Sequence, residues 1–241
     1  MTDIADRVFM IQGQDDMIPD AHMYVLGDPE GDDITLVDAG LVGKADYKTA
    51  SLERMGVALE NVRRIIMTHT HLDHIGCLPE LRARMPGAEV WIHKKEADPL
   101  ESGDERTVYG MDMFRDMCRA QYGLEEGYFA VTVERKLEGG EVLELGGSDW
   151  EVLHVPGHSA GSIGLYEASR GILIPGDVVY ADYAIGRFDL NGADAGALKD
   201  SLIRLAELRV DILLPGHNRA VKGLPEDYLV QTARQWAPYL A

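Results

Sequence analysis

Val62-Arg63-Arg64-Ile65-Ile66-Met67-Thr68-His69-Thr70-His71-Leu72-Asp73-His74 reads as a buried strand by its apolar run, followed by a polar, histidine-rich loop. With His at 8 of 241 positions, the pattern H-x-H-x-D-H should arise by chance in roughly one such chain per thousand. In an extended segment residues two apart face the same way, so His69 and His71 can grip one metal ion. Where the backbone bends toward a helix, Asp73 and His74 can turn to a second.

Four side chains in one loop do not complete two metal sites, so the reading demands further ligands at other strand ends. Three segments supply them: Pro156-Gly157-His158 after Glu151–Val155, Pro175-Gly176-Asp177 after Ile172–Ile174, and Pro215-Gly216-His217 after Asp211–Leu214. Each has the form strand, Pro-Gly, ligand. Proline ends the ladder and glycine lets the backbone turn sharply, so three strands can deliver one ligand apiece to a common edge.

Outward from these motifs, β-type runs at Arg7–Gln12, His22–Leu26 and Ile34–Val37 fill the N-terminal quarter, separated by Asp/Gly/Pro turns. A helix is predicted from Lys44 to Met55, and another is opened by Pro79. The second half predicts strands near 141–145, 150–155, 163–166 and 172–174, a helix from Ala195 to Leu208, a strand at Asp211–Leu214 and a helix from about 225. Strands alternating with helices in both halves predict sheets packed between helical layers. Between the halves, Met111, Phe114, Cys118 and Tyr122 are spaced as on one helix over 104–122, either a cover for the core or a lid or dimer face beside the site.

Layered α/β folds often use ~200–250 residues as one unit. The expectation is therefore a single domain over residues 1–241, with a helical insert around 94–130 and a homodimer as one option for the insert. Against 23 Lys+Arg stand 41 Asp+Glu, a formal charge of −18 that repels phosphate backbones and anionic membranes. The expected partner is a small-molecule substrate, with no nucleic acid and no membrane. Two cysteines, Cys77 and Cys118, make no disulfide framework, and MTDIADRVF lacks the basic and apolar regions of an export signal, so a cytoplasmic protein is expected. His22, His93 and His154 read as packing or pocket-rim groups.

Leu36-Val37-Asp38-Ala39-Gly40, then the histidine cluster, His158, Asp177 and His217, follow the order of the metallo-β-lactamase-fold hydrolase superfamily, which this chain resembles over residues 38 to 217. The resemblance implies an α/β fold, a four-layer αββα sandwich of two mixed sheets flanked by helices with metals at one sheet edge. It implies one metal on His69, His71 and His158, a second on Asp73, His74 and His217, Asp177 bridging them, and Asp38 orienting a ligand. Gly186-Arg187-Phe188-Asp189-Leu190, with Leu214-Pro215-Gly216-His217 downstream, is most similar to glyoxalase II-like thioesterases. The glyoxalase II enzymes that bind glutathione tightly carry a C-terminal helical domain with basic contacts. Here only Arg219, Lys222 and Arg234 follow His217, which departs from that basic pattern.

The resemblance thus implies a dinuclear hydrolase in which two divalent ions ~3.5–4 Å apart activate a bridging hydroxide against a thioester or related ester. Asp73 would hold that hydroxide in line. A nitrogen-and-oxygen ligand set suits Zn²⁺, favoured by frequency, and also accepts Fe²⁺ or Mn²⁺. Tyr180 is either a packed aromatic or a phenol donating to the substrate oxyanion, as a tyrosine at the same offset does in the similar acyl-homoserine lactonases. Arg187 is either a clamp for a substrate carboxylate or a structural ion-pair partner. A lactonase and a mononuclear-iron persulfide dioxygenase are the alternative activities.

Overall fold

The computed structural model describes residues 2–14 and 18–240. In chain order the strands of the first sheet and their helices are β1 (Thr2–Ala5), β2 (Val8–Ile11), β3 (Met23–Leu26), β4 (Ile34–Val37), α1 (Ala45–Arg54), β5 (Val62–Ile66), α2 (Leu72–Ile75), α3 (Leu78–Arg84), β6 (Glu89–His93), α4 (Lys94–Ser102), α5 (Arg106–Tyr109), α6 (Asp112–Tyr122) and β7 (Arg135–Leu137). The second sheet and its helices are β8 (Val142–Leu145), β9 (Ser148–His154), β10 (Ile163–Glu167), β11 (Ile172–Ile174), α7 (Ala195–Leu205), β12 (Ile212–Leu213), β13 (Val221–Lys222) and α8 (Tyr228–Trp236).

Strand order is β1-β2-β3-β4-β5-β6-β7 in one sheet and β13-β12-β11-β10-β9-β8 in the other. The first is antiparallel through β4 and parallel from β4 to β7. In the second, β11 and β12 are parallel and the remaining pairs antiparallel. Both sheets are therefore mixed, as the αββα reading requires.

Side-chain alternation explains the layers. Val37 and Ile66 point into the space between the sheets and meet Trp150, Ile163, Leu165, Ile172 and Ile174 there. Their neighbours Leu36 and Ile65 point the other way, against Leu52 of α1, Leu78 of α3 and Cys118 of α6. Across the second sheet, Tyr166 and Leu173 pack on Leu198 and Leu202 of α7 and Leu229 of α8. Each of Ile163, Leu165 and Ile172 is fully buried, and truncating one to alanine should cost about 2–5 kcal/mol.

Residues 104–122 form two helices, not the single one expected. Gly110 turns left-handed (φ 67°) and Met111 is extended (φ −154°), which ends α5 and restarts the chain as α6. Within α6 only Cys118 is buried, Phe114 and Tyr122 pack against the core from its edge, and Met113 and Met117 face outward. None of the described helices is long and apolar enough to cross a membrane.

In the parallel pair β11–β12, Ile172 stands opposite Ile212 and Leu173 opposite Leu213. The pairing continues past the strands, where the Gly216 N–H donates to the Gly176 carbonyl at 3.0 Å. The two Pro-Gly turns therefore leave the sheet side by side.

Candidate metal centre

Past β5 the chain leaves the sheet, reaches an extended His71 (φ −68°, ψ 150°) and then enters α2, so His69 and His71 precede the helix while Asp73 and His74 lie in its first turn. The three Pro-Gly turns bring His158, Asp177 and His217 to the same rim. His69, His71 and His158 form one group and Asp73, His74, Asp177 and His217 another, with candidate ligand atoms in each group within 4.8 Å of one another. His71 Nδ1 faces His158 Nε2 at 2.8 Å. Asp177 lies between the groups: Oδ1 is 3.2 Å from His74 Nε2, and Oδ2 is 3.5 Å from His217 Nε2 and 3.7 Å from His158 Nε2. Asp73 Oδ2 is 2.9 Å from His217 Nε2.

Asp38 anchors both groups from behind. It is buried with φ 63°, a left-handed conformation that costs a non-glycine residue about 1–3 kcal/mol and that accumulates at functional sites. Its carboxylate accepts the Thr68 backbone N–H at 2.8 Å and the Thr68 hydroxyl, and it lies 2.9 Å from His74 Nδ1. The Thr68 hydroxyl also lies 3.0 Å from His69 Nδ1. With that hydroxyl donating to Asp38, His69 Nδ1–H donates to it in turn, and the Nε2 lone pairs of His69 and His74 face the rim. His158 Nδ1–H donates to the Arg187 carbonyl at 2.7 Å, which fixes the same tautomer there.

The two groups titrate in opposite directions. Burial, reinforced by neighbouring imidazoles, pushes His69 well below the usual histidine value and His71 down to about 3. Burial also opposes charge on His74 and His217, but the Asp177 carboxylate, aided by Asp38 at His74 and by Asp73 at His217, overrides it and raises both. Asp177 is correspondingly held well below the carboxylate range, against its own burial, by His74 and His217.

Among the described residues, the buried side-chain atoms lacking a hydrogen-bond partner include His69 Nε2, His71 Nε2, His74 Nε2, Asp177 Oδ1 and His217 Nδ1. Orphaned polar atoms of this kind cost about 1–3 kcal/mol each, and cations bound in the two groups would satisfy them. Seven convergent nitrogen and oxygen donors therefore fit a pair of divalent ions. Close packing at Gly216 fits too, since a Cβ there would lie 2.2 Å from Asp177 Oδ1 and 2.7 Å from His74 Cε1.

A cavity of about 260 Å³ opens over the rim. Its floor is His71, Asp73, His158, Asp177 and His217, and its wall includes Leu72, Val108 of α5, Phe114 of α6 and Leu190. Tyr180 lines it, its hydroxyl kept protonated by burial and by the charge and hydrogen bonding of Asp177. The loop beyond is held by α8: the Tyr228 hydroxyl donates to the Tyr180 carbonyl at 2.9 Å and accepts the Tyr183 N–H at 2.7 Å. Arg187 also lines the cavity, with its guanidinium paired to Asp189 at 2.8 and 2.9 Å.

His22, His93 and His154 stand outside both groups. His22 accepts from the Gly13 N–H and donates to the Asn218 carbonyl. His93 caps α4 by accepting the Lys95 N–H, and its ring stacks on His154 at 4.1 Å. Residues the sequence reading passed over include Thr68 and the buried Asp20–Lys48 pair (3.2 Å). Lys48 Nζ donates to the Ala21 carbonyl at 2.7 Å, and the Ala21 N–H donates to the Asp73 carbonyl at 3.1 Å.

Comparison with known proteins agrees with this architecture. A family model described as the metallo-beta-lactamase superfamily matches residues 20–217. The hydroxyacylglutathione hydrolase GloC of Haemophilus influenzae is 30% identical over 186 residues, covering 76% of this chain and 78% of GloC. The human acyl-coenzyme A thioesterase MBLAC2 is 29% identical over 218 residues, 88% of this chain and 72% of that protein. Among solved structures, TTHA1623 in a di-iron-bound form superposes with a TM-score of 0.68 at 26% identity, covering 97% of this chain and all of the other (100%). Sheet order, histidine rim and matched sequence agree, and the chain belongs to the metallo-β-lactamase superfamily.

Proposed function

We propose that this metal-dependent hydrolase cleaves a small-molecule thioester, with one divalent cation on His69, His71 and His158, a second on Asp73, His74 and His217, and Asp177 shared between them. The observation that carries the reading is the pair of adjacent donor groups with the Asp177 carboxylate between them. Ions bound there would lower the pKa of water and polarise a carbonyl; zinc is favoured, and iron or manganese suits the same donors.

The remaining work falls to the chain itself. Asp73, on the cavity floor, orients the attacking water by accepting a hydrogen bond from it. Tyr180 donates its hydroxyl proton in a hydrogen bond to the carbonyl oxygen as negative charge develops on it. A thiolate leaves without a strong acid, its conjugate thiol having a pKa near 8.5, which suits a cavity whose floor, among the described residues, is made of imidazoles and carboxylates. The apolar wall from Leu72, Val108, Phe114 and Leu190 faces an acyl group, and the resemblance to GloC and MBLAC2 supports a thioester. Arg187, neutralised by Asp189, serves the shape of the rim more than the binding of a free carboxylate. The two free, buried cysteines support a cytoplasmic setting.

Tyr180 also favours a second reading, a lactonase, because the same phenol would serve a ring ester. A panel of acyl-CoA thioesters, S-acyl-glutathiones, lactones and phosphodiesters, offered to the zinc-loaded protein, decides. Thioester turnover well above the others is expected. Turnover of lactones alone would replace this reading with the second. One iron per chain with oxygen uptake on glutathione persulfide would overturn both.

A further inference from the structure

Glu96, in the first turn of α4, is 2% exposed and takes no part in either donor group. Its Oε2 accepts the Thr70 hydroxyl at 2.9 Å. Its Oε1 accepts the Gly161 backbone N–H at 2.9 Å and the Ser159 hydroxyl. All three partners are neutral, and they belong to two loops far apart in sequence. Thr70 lies between His69 and His71, and Ser159 follows His158. One carboxylate thus ties together the backbones that present all three imidazoles of the first group.

Among the described residues, no comparable bond runs from Glu96 to the second group. His74 is held by Asp38, the Asp73 carbonyl by Ala21, and the turn before His217 by the Tyr24 hydroxyl on the Pro215 carbonyl. The loops also leave no slack at Glu96: a Cβ on Gly161 would lie 2.7 Å from Glu96 Cγ. The Ser159 hydroxyl lies 2.8 Å from the Ser162 hydroxyl, and the Ser159 N–H donates to that same oxygen at 3.0 Å, which stiffens the loop on which Glu96 pulls. Burying a carboxylate is expensive unless it is hydrogen-bonded, and what these bonds fix is the mutual position of two ligand loops.

We propose that Glu96 is a positioning residue for the cation site of His69, His71 and His158, acting on that site and not on its neighbour. The inference rests on the two-cation reading above. A glutamine can make the same contacts, its carbonyl accepting from Ser159 and Gly161 while its amide donates to the Thr70 hydroxyl. Glu96→Gln should therefore keep the geometry that Glu96→Ala loses.

The test loads wild type, Glu96→Ala and Glu96→Gln with Zn²⁺ and measures metal per chain and affinity by chelator competition, with near-ultraviolet circular dichroism as the check on folding. Wild type should hold two ions. Glu96→Ala should weaken one of them by about 10- to 100-fold, the usual cost of losing a group that orients a metal ligand, and leave the other unchanged, while Glu96→Gln returns to within a few-fold of wild type. Two ions at wild-type affinity in Glu96→Ala, or equal weakening of both, would overturn the inference while leaving the two-cation reading intact. Failure of the wild type itself to bind divalent ions would instead defeat that reading. Should Glu96→Ala not fold, Thr70→Val and Ser159→Ala each remove one of the same bonds; each must weaken one ion selectively, and an unchanged pair of affinities in both would refute the proposal.

Discussion

The two donor groups at the rim are neighbours built on different electrostatic plans. His69, His71 and His158 offer three imidazoles, of which His69 and His71 are driven neutral by burial. Asp73, His74, Asp177 and His217 mix carboxylates with imidazoles whose proton affinity those carboxylates raise. The first plan presents lone pairs that need no deprotonation, and the second presents negative charge. Two carboxylates against two divalent ions would leave a net positive rim facing the cavity, which is what a developing oxyanion requires.

The contrast is broken most severely at the residue the groups share. Asp177→Ala should lose both ions and with them all turnover above background, whereas His71→Ala should lose mainly the ion of its own group; metal analysis of the two purified variants reads the difference. Equal stoichiometries in the pair would abolish the distinction between sites. A smaller effect is expected at Tyr180, which touches the second group without completing it: Tyr180→Phe should lower kcat by about 10²-fold with metal content unchanged. Unaltered kinetics would make it a packing residue.

The mildest test concerns acid. His93, which caps the helix carrying Glu96, is pushed down to about 4 by burial, with the neighbouring His154 adding to the shift, against 6.5 for the free side chain. Between those values the unfolded chain binds a proton that the folded one refuses, so this contribution to stability is complete above pH ~6.5 and is lost as pH falls toward 4. His93→Asn keeps a capping acceptor and cannot titrate. Its unfolding midpoint should fall less than that of wild type between pH 7 and 5, and parallel curves would remove His93 from the acid response.

How far the sequence could be read depends on the range of its signals. H-x-H-x-D-H and the three Pro-Gly-ligand turns are local patterns, and each led to the rim where the structure has it. Strand β6 has alternating apolar residues at Val90 and Ile92, a period-two signal that was present and passed over. Short polar strands such as Thr2–Ala5 and Arg135–Leu137 gave none, because pairing in the sheet defines them and their own side chains do not. The break at Gly110 falls just before the helical spacing of Met111, Phe114, Cys118 and Tyr122, which therefore could not report it. Glu96 and Lys48 were beyond reach for another reason: a charged residue on an amphipathic helix reads as surface until the loops it will meet are known.

Strands β11 and β12 run in parallel register and end together, so Asp177 and His217 start from adjacent rungs of one ladder. The strands that lead to them are spaced by the roughly 4.8 Å pitch of a β-sheet, and the Gly216 N–H on the Gly176 carbonyl holds the two turns together one residue before the side chains. The protein carries a built-in ruler across its reactive edge, calibrated by peptide hydrogen bonds, and variation in the cavity wall can retarget the substrate without moving its marks.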